Sequence, residues 1–253
     1  MKHLGTLRIL APMAAALALS GCGSLIPAGS GEASSAGSAR TSSASQPASR
    51  PAPARTQPRR LANAPQRLMS RPEDAACLTD LSSTGARFEA LPDTYAAPGC
   101  NRLGTVQLAA LAGDRSQFGV SNIGPVQCRV ASTFSEWARF GVDRAAREIL
   151  GSPLARIETM GSYACRNVAG SSRRSAHASA EAIDVSGFVL EDGRRITLTG
   201  DWNGGSAAER EFLRVVHRSA CKRFGTVLGP EYNRAHEDHF HLEGTAGDTS
   251  FCR

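Results

Sequence analysis

The chain has 253 residues, a formal net charge of +6 and a pI of about 9.2, with 41% hydrophobic and 21% charged residues. The basic excess is uneven: seven arginines from Arg40 to Arg71 face Glu32 alone, and Lys2 and Arg8 add two charges near the start, which leaves residues 72–253 at net −2. A basic surface for gripping nucleic acid is therefore not a property of the larger part of the chain, and no nucleic-acid partner is expected.

Residues 1–21 combine Lys2 and Arg8 with an apolar Ala/Leu run that is too short to span a bilayer comfortably and is followed by small residues. That is the pattern of an export signal. The stretch Leu19-Ser20-Gly21-Cys22 resembles the bacterial lipoprotein cleavage box. The resemblance implies a signal peptide over 1–21, lipidation at Cys22 and a periplasmic, lipid-anchored protein. Gly23, where a retention signal would place Asp, favours the outer membrane. Residues 22–71 then form a Ser/Ala/Pro/Arg-rich tether with too little apolar surface to fold. Its arginines suit anionic lipid or wall polymers, or simply keep the linker soluble.

Residues 72–253 have the length of one domain with a proper core. They hold Cys77, Cys100, Cys128, Cys165, Cys221 and Cys252, an even set that in an exported chain suggests up to three disulfides, with the pairing open. Leu103 to Leu111 fits a strand or a short helix. Gln127 to Leu150 has helical spacing through Cys128, Ala131, Phe134 and Ala138, then Val142, Ala145 and Ile149; Gly141 and Asp143 are expected to break or bend it, and Gly151 to stop it. Trp137 falls off that spacing and reads as packing. Arg156 to Tyr163 reads as a strand that delivers Arg166 near the later motifs. Asp192-Gly193 between two apolar runs signals a hairpin. Ser206-Ala207-Ala208-Glu209 resembles a capping box opening a helix that ends near Gly225; His217 within it reads as structural or exposed. Phe224 to Leu228 supplies another strand.

Two stretches carry the chemistry. In Ser175-Ala176-His177-Ala178-Ser179-Ala180-Glu181-Ala182-Ile183-Asp184-Val185, a turn after His177 that runs into a strand over 182–190 sets Asp184 on the face opposite Ile183 and Val185. A carboxylate within such an apolar run is costly to bury unpaired. In His236-Glu237-Asp238-His239-Phe240-His241-Leu242-Glu243, strand alternation puts His239, His241 and Glu243 on one face and Phe240 and Leu242 on the other. His177, Asp184 and His241 together make a three-donor N/O/N set of the kind that catalytic zinc sites use. Zinc there would lower the pKa of water to about 7 and polarise a scissile carbonyl.

The Ser-x-His-x-x-x-x-Ala-x-Asp run followed by a distal His-x-His resembles the zinc peptidases of the D-alanyl-D-alanine carboxypeptidase and murein endopeptidase clan. More closely, residues from about Cys77 to Cys252 resemble the bacterial extensin-like C-terminal domain family. The resemblance rests on Gly161-Ser162-Tyr163-Ala164-Cys165-Arg166, the His177 to Phe188 run, Phe224-Gly225-Thr226-Val227-Leu228-Gly229-Pro230 and the His236 to Glu243 run. It implies substrate binding by Arg166, either to a peptide carboxylate or to a developing oxyanion. Two departures bear on mechanism. The carboxypeptidases place Gly three residues after the first zinc histidine, whereas this chain has Ala180, so its turn relies less readily on a positive φ. Their catalytic Glu is replaced at the matching position by Asp238, while the endopeptidase branch has a histidine-rich run in which the first His of His-x-His assists. His239 and Asp238 are thus rival proton carriers, and His236 a third.

The expected architecture is α+β: an antiparallel sheet carrying the zinc site on one face, with helices packed on the other. The expected function is zinc-dependent hydrolysis of peptidoglycan stem-peptide bonds, as a carboxypeptidase or an endopeptidase and at bonds involving D-amino acids, with Glu243 orienting a ligand histidine. The alternative is a non-catalytic wall-binding or envelope-tethering lipoprotein with the same fold.

Overall fold

The structure, a computed structural model, describes residues 72–247 and 250–253. The signal, Cys22 and the tether lie outside the described residues. A first helix, α1 (Pro72–Ser83), precedes the short strands β1 (Arg87–Ala90), β2 (Thr94–Ala97), β3 (Cys100–Arg102), β4 (Thr105–Ala112), β5 (Gln117–Ser121) and β6 (Pro125–Gln127). A helical stretch follows, α-helical as α2 (Cys128–Glu136) and wound more widely, as π-helix, over Trp137–Asp143 and Ala146–Leu150. Then come β7 (Leu154–Gly161), a single 3-10 turn (Ala176–Ser179), β8 (Ala182–Leu190), β9 (Arg195–Thr197), α3 (Leu198–Gly204) and α4 (Ala207–Cys221). The chain closes with β10 (Thr226–Leu228), a second 3-10 turn (Arg234–His236), β11 (Phe240–Glu243) and β12 (Phe251–Cys252).

Among the described residues, ten strands form one sheet in the order β1-β4-β5-β7-β8-β11-β10-β12, with β6 beside β4 and β9 beside β8; β2 and β3 pair separately. The sheet is mixed, not purely antiparallel, because β5 runs parallel to β7 and β10 parallel to β12. A parallel pair needs a long crossover, and the helical stretch 128–150 supplies it between β5 and β7. The ambiguous segment 103–111 is strand: β4, buried along most of its length.

β8 lies between β7 and β11 and is apolar on more than one phase. Its pairing skips Ser186, where Glu158 faces Gly187 but Thr159 faces Val185. This bulge shifts the alternation by one residue, so Ile183 and Val185 before it and Phe188 and Leu190 after it all reach the core. The Asp192-Gly193 hairpin forms as the sequence predicts, with Phe188 opposite Ile196 and Gly193 at φ +88°.

The helical stretch is not broken at Gly141 or Asp143. A Cβ at Gly141 would run into the Ser219 side chain, so glycine there allows α4 to approach closely. Asp143 is fully buried, where it accepts from the Leu154 amide (3.1 Å) and from Arg147 Nε (3.0 Å) and so ties the helix to the start of β7. Gly151 stops the helix in the left-handed region at φ 72°. Trp137 packs among Phe134, Phe188 and Phe224, and its Nε1 donates to the Val216 carbonyl at 3.0 Å. Ser206 and Glu209 form the reciprocal capping box that starts α4.

The six cysteines pair as Cys77–Cys128, Cys100–Cys165 and Cys221–Cys252. With sequence separations of 51, 65 and 31 residues, each closes a loop whose restriction stabilises by about 4 kcal/mol in the chain-entropy account. The second pair fixes the chain beside Arg166. The third ties the C-terminal strand β12 to the end of α4.

Candidate metal centre

Three elements converge on one point. β8 and β11 pair antiparallel with Asp184 opposite His241, Ile183 opposite Leu242 and Val185 opposite Phe240. Strand alternation therefore turns the apolar pairs toward the core, where Phe240 and Leu242 are fully buried, and turns Asp184 and His241 to the other face. Phe240 packs edge-on against Trp202 of α3 and against His217 of α4, which places those helices on the face away from the polar pair. His217 is a core-side residue whose imidazole burial keeps its pKa low.

His177 arrives from the 3-10 turn ahead of β8. The Ser175 hydroxyl accepts from the His177 amide at the start of the turn. At its end Ala180 adopts φ 58°, the left-handed region, with its side chain fully buried. Ala180 thus takes the positive φ that an alanine reaches less readily than a glycine. Ala180 is held there on both sides: its amide donates to the His177 carbonyl at 3.2 Å and its carbonyl accepts from the Gln127 amide at 2.9 Å.

The donor geometry follows from what each imidazole faces. His177 Nδ1 lies 2.6 Å from the Ser162 carbonyl oxygen, which can only accept, so Nδ1 carries a proton and the ring is turned with Nε2 toward Asp184 and His241. That Nε2 is 3.2 Å from Asp184 Oδ2 and 3.2 Å from His241 Nδ1. His241 Nδ1 is 3.0 Å from Asp184 Oδ1, and its Nε2 is 3.1 Å from Glu243 Oε2. Ligands at about 2.0–2.1 Å around a tetrahedral zinc stand about 3.3 Å apart, close to the 3.0–3.2 Å that separates the two nitrogens from each other and each from one Asp184 oxygen. His177, Asp184 and His241 could hold a metal ion. A second grouping, His217 with Cys221 and Cys252, could not do so through its sulfurs, which are bonded to each other.

The electrostatics favour positive charge at this point. Burial opposes ionisation of both Asp184 and His241, but the imidazoles hold the Asp184 carboxyl well below the usual range, and Asp184 with Glu243 raises His241 to about 9. Hydrogen bonding to His241 likewise lowers Glu243. Asp184 at Nδ1 and Glu243 at Nε2 thus stabilise positive charge on the His241 ring.

The rival proton carriers turn out to be partners. Asp238 Oδ1 accepts from His239 Nδ1 at 2.7 Å, which leaves His239 Nε2 facing the centre, 3.5 Å from Asp184 Oδ1. His239 is 8% exposed, whereas the Asp238 side chain is about half exposed. His236 stacks at 5.2 Å on the His239 ring and 5.8 Å on the His241 ring. Its Nδ1 donates to Asn233 Oδ1 at 2.7 Å, and burial together with the neighbouring histidines lowers its pKa to about 4. His236 is therefore neutral near pH 7.

Of these groups, His236, His239, His241 and Glu243 line a cleft of about 520 Å³ that also includes Arg166 and Arg173. The chain holds Arg166 by a short turn, Arg166 amide to Ala164 carbonyl at 2.8 Å, and by the Ser175 amide, which donates to the Arg166 carbonyl at 3.1 Å. Sequence reasoning did not single out Ser162 or Asn233 as positioning residues. Ser162 acts through a backbone carbonyl, which has no side-chain signature; Asn233, three residues before His236, did have one.

Residues 75–253 match the family described as extensin-like protein C-terminus. No curated protein and no solved structure matches the chain. With its match running from just inside α1 to the last residue and taking in all four sequence motifs, the chain belongs to the extensin-like protein C-terminus family.

Proposed function

We propose that this protein is a zinc-dependent peptidase that hydrolyses stem-peptide bonds of peptidoglycan, as a carboxypeptidase or an endopeptidase. The observation that carries the reading is the convergence of His177 Nε2, Asp184 and His241 Nδ1 at 3.0–3.2 Å beside the Asp238–His239 pair, with His239 and His241 lining a cleft. Two imidazoles and a carboxylate, without sulfur, suit zinc. Zinc, when bound there, supplies a Lewis acid that polarises the scissile carbonyl and makes water nucleophilic near neutral pH.

The chain's own residues supply the rest. Ser162 and Glu243 hold the outer nitrogens of the two ligand imidazoles and so fix their orientation. Asp238 keeps His239 with its proton on Nδ1 and its Nε2 toward the reacting bond, where Nε2 accepts a proton and returns it to the leaving amine. His236 stands next in line. Arg166 binds the peptide's carboxylate or the developing negative charge. The resemblance of the two motifs to the D-alanyl-D-alanine carboxypeptidase and murein endopeptidase clan supports peptidoglycan as substrate. Three disulfides suit an oxidising compartment such as the periplasm, and lipid attached at Cys22 would keep the enzyme at the outer membrane, beside the wall. Incubating the purified protein with muropeptides, with and without a chelator, tests the reading. Chelator-sensitive release of amino acids or peptides is expected, and muropeptides left intact by zinc-loaded protein would refute it.

A further inference from the structure

The cleft lining combines two chemistries. The segment between β7 and β8 brings Arg166 and Arg173 to it. Tyr232 and Phe251 also line it, 43% and 45% exposed, edge to face with ring centroids 6.0 Å apart. This aromatic ledge is built into the fold. The Gly229 amide donates to the Arg253 carbonyl at 2.8 Å and the Gly229 carbonyl accepts from the Tyr232 amide at 2.9 Å, so both ring-bearing segments are rooted at one residue. The Phe251 amide donates to the Gly225 carbonyl at 2.8 Å, and Cys252 is bonded to Cys221. Tyr232 also stacks on His236 at 5.5 Å, which makes the ledge continuous with the histidine cluster.

The ledge is open rather than enclosed, so it is poorly suited to swallowing an apolar side chain. It offers exposed ring surface, with the Arg253 guanidinium 5.6 Å from the Phe251 centroid, edged by the Tyr232 phenol and by the side-chain NH2 of Asn233, whose oxygen is already occupied by the Ala235 amide and His236. A pyranose has the matching build: a flat patch of C–H groups that packs on an aromatic ring, rimmed by hydroxyl and amide groups that need polar partners. Resting on the reading of the site as a stem-peptide hydrolase, we propose that Tyr232 and Phe251 bind the N-acetylated hexopyranose to which the stem peptide is attached, while Arg166 and Arg173 hold the peptide's carboxylate in the same cleft. The enzyme would thereby recognise a peptide on its sugar in preference to the free peptide.

The test is a calorimetric titration of the full chain, kept metal-free with chelator so that no bond is cut. The ligands are a disaccharide-linked muropeptide and the same stem peptide without sugar. Wild-type protein should bind the glycosylated ligand about tenfold more tightly. Tyr232→Ala and Phe251→Ala should each remove roughly three- to tenfold of that preference while leaving affinity for the bare peptide unchanged. Phe251→Tyr should keep the preference, which guards against loss of the C-terminal strand as the cause. Tyr95→Ala, an exposed ring on β2 outside the cleft, should change nothing. Equal wild-type affinity for the two ligands would overturn the proposal, as would a Phe251→Ala variant that weakens both alike, since the rings would then hold a peptide side chain. Cleavage by zinc-loaded protein is scored separately. A sugar preference without cleavage would remove the peptidase reading and keep the ledge, and cleavage without a preference would do the reverse.

Discussion

Asp184 and His241 face each other directly across β8 and β11, with Asp184 Oδ1 3.0 Å from His241 Nδ1. Asp184 also reaches His177 Nε2 through its other oxygen at 3.2 Å, so one carboxylate joins the two imidazoles. Register alone places the first pair. A slip of one residue would exchange His241 for Phe240 or Leu242 and send the imidazole into the core. Because the apolar neighbours must stay buried, core packing indirectly fixes the spacing of the donors.

Asp184→Ala should therefore empty the metal centre. Loss of an orienting partner alone typically costs 10–100-fold in metal affinity, and loss of a ligand should cost more than about a hundredfold. Metal analysis of the variant after dialysis checks this. Full zinc occupancy in Asp184→Ala would mean that the ligand set is wrong.

The Asp238–His239 pair predicts a graded loss. His239→Ala should keep zinc but lose about 10²–10⁴ in rate, and Asp238→Asn should lose less, since Asp238 acts by orienting His239. Rates on a muropeptide beside metal content decide it. If Asp238→Asn falls far below His239→Ala, the carboxylate is the proton carrier. If both cleave normally, His236 takes the role. Zinc lost from His239→Ala would instead make His239 a ligand.

The pKa of His241 sets a pH dependence. It is raised from 6.5 to about 9 in the metal-free fold, so its contribution to stability is complete below about pH 6.5 and disappears as pH rises through about 9. The Tm difference between metal-free wild type and His241→Gln should accordingly shrink between pH 6.5 and 10. Zinc requires the neutral imidazole, so binding at pH 7 should release about one proton, measurable by calorimetry in buffers of different ionisation enthalpy. A Tm difference that grows with pH, or binding without proton release, would contradict the assignment of charge at His241.

Anchoring is tested apart from catalysis. Cys22→Ser should yield an exported protein that no longer partitions into detergent, because a lipid at Cys22 would supply most of the apolar anchor. Unchanged partitioning would exclude lipidation at Cys22.

Much of the scaffold could be read from local chemistry. The Ser206/Glu209 capping box, the Asp192-Gly193 hairpin and the Gly151 stop are signals spanning a few residues, and each forms as the local pattern requires. The alternation of His239, His241 and Glu243 against Phe240 and Leu242 likewise follows from strand geometry. What escaped depends on distant chain. Gly141 reads locally as a helix breaker, but its function is to admit Ser219 of α4. The parallel pairing of β12 with β10 brings the C-terminus beside a strand some 25 residues earlier, which no local pattern encodes. Ala180 enters the left-handed region because Gln127 and His177 hold its backbone there. The three disulfide pairs needed the fold to choose among the possible connectivities. Asp238 and His239 could only compete in the sequence, whereas their side-chain geometry makes them a pair.

The most direct test of the central claim is a single reconstitution. Protein stripped with chelator is titrated with zinc while product release from muropeptides is followed by mass spectrometry, and bound metal is counted in the same samples. Activity should be absent without metal and rise in proportion to zinc up to one ion per chain, and it should fail to return in Asp184→Ala. Full-rate cleavage by the stripped protein, or one zinc bound per chain with every muropeptide intact, would contradict the account.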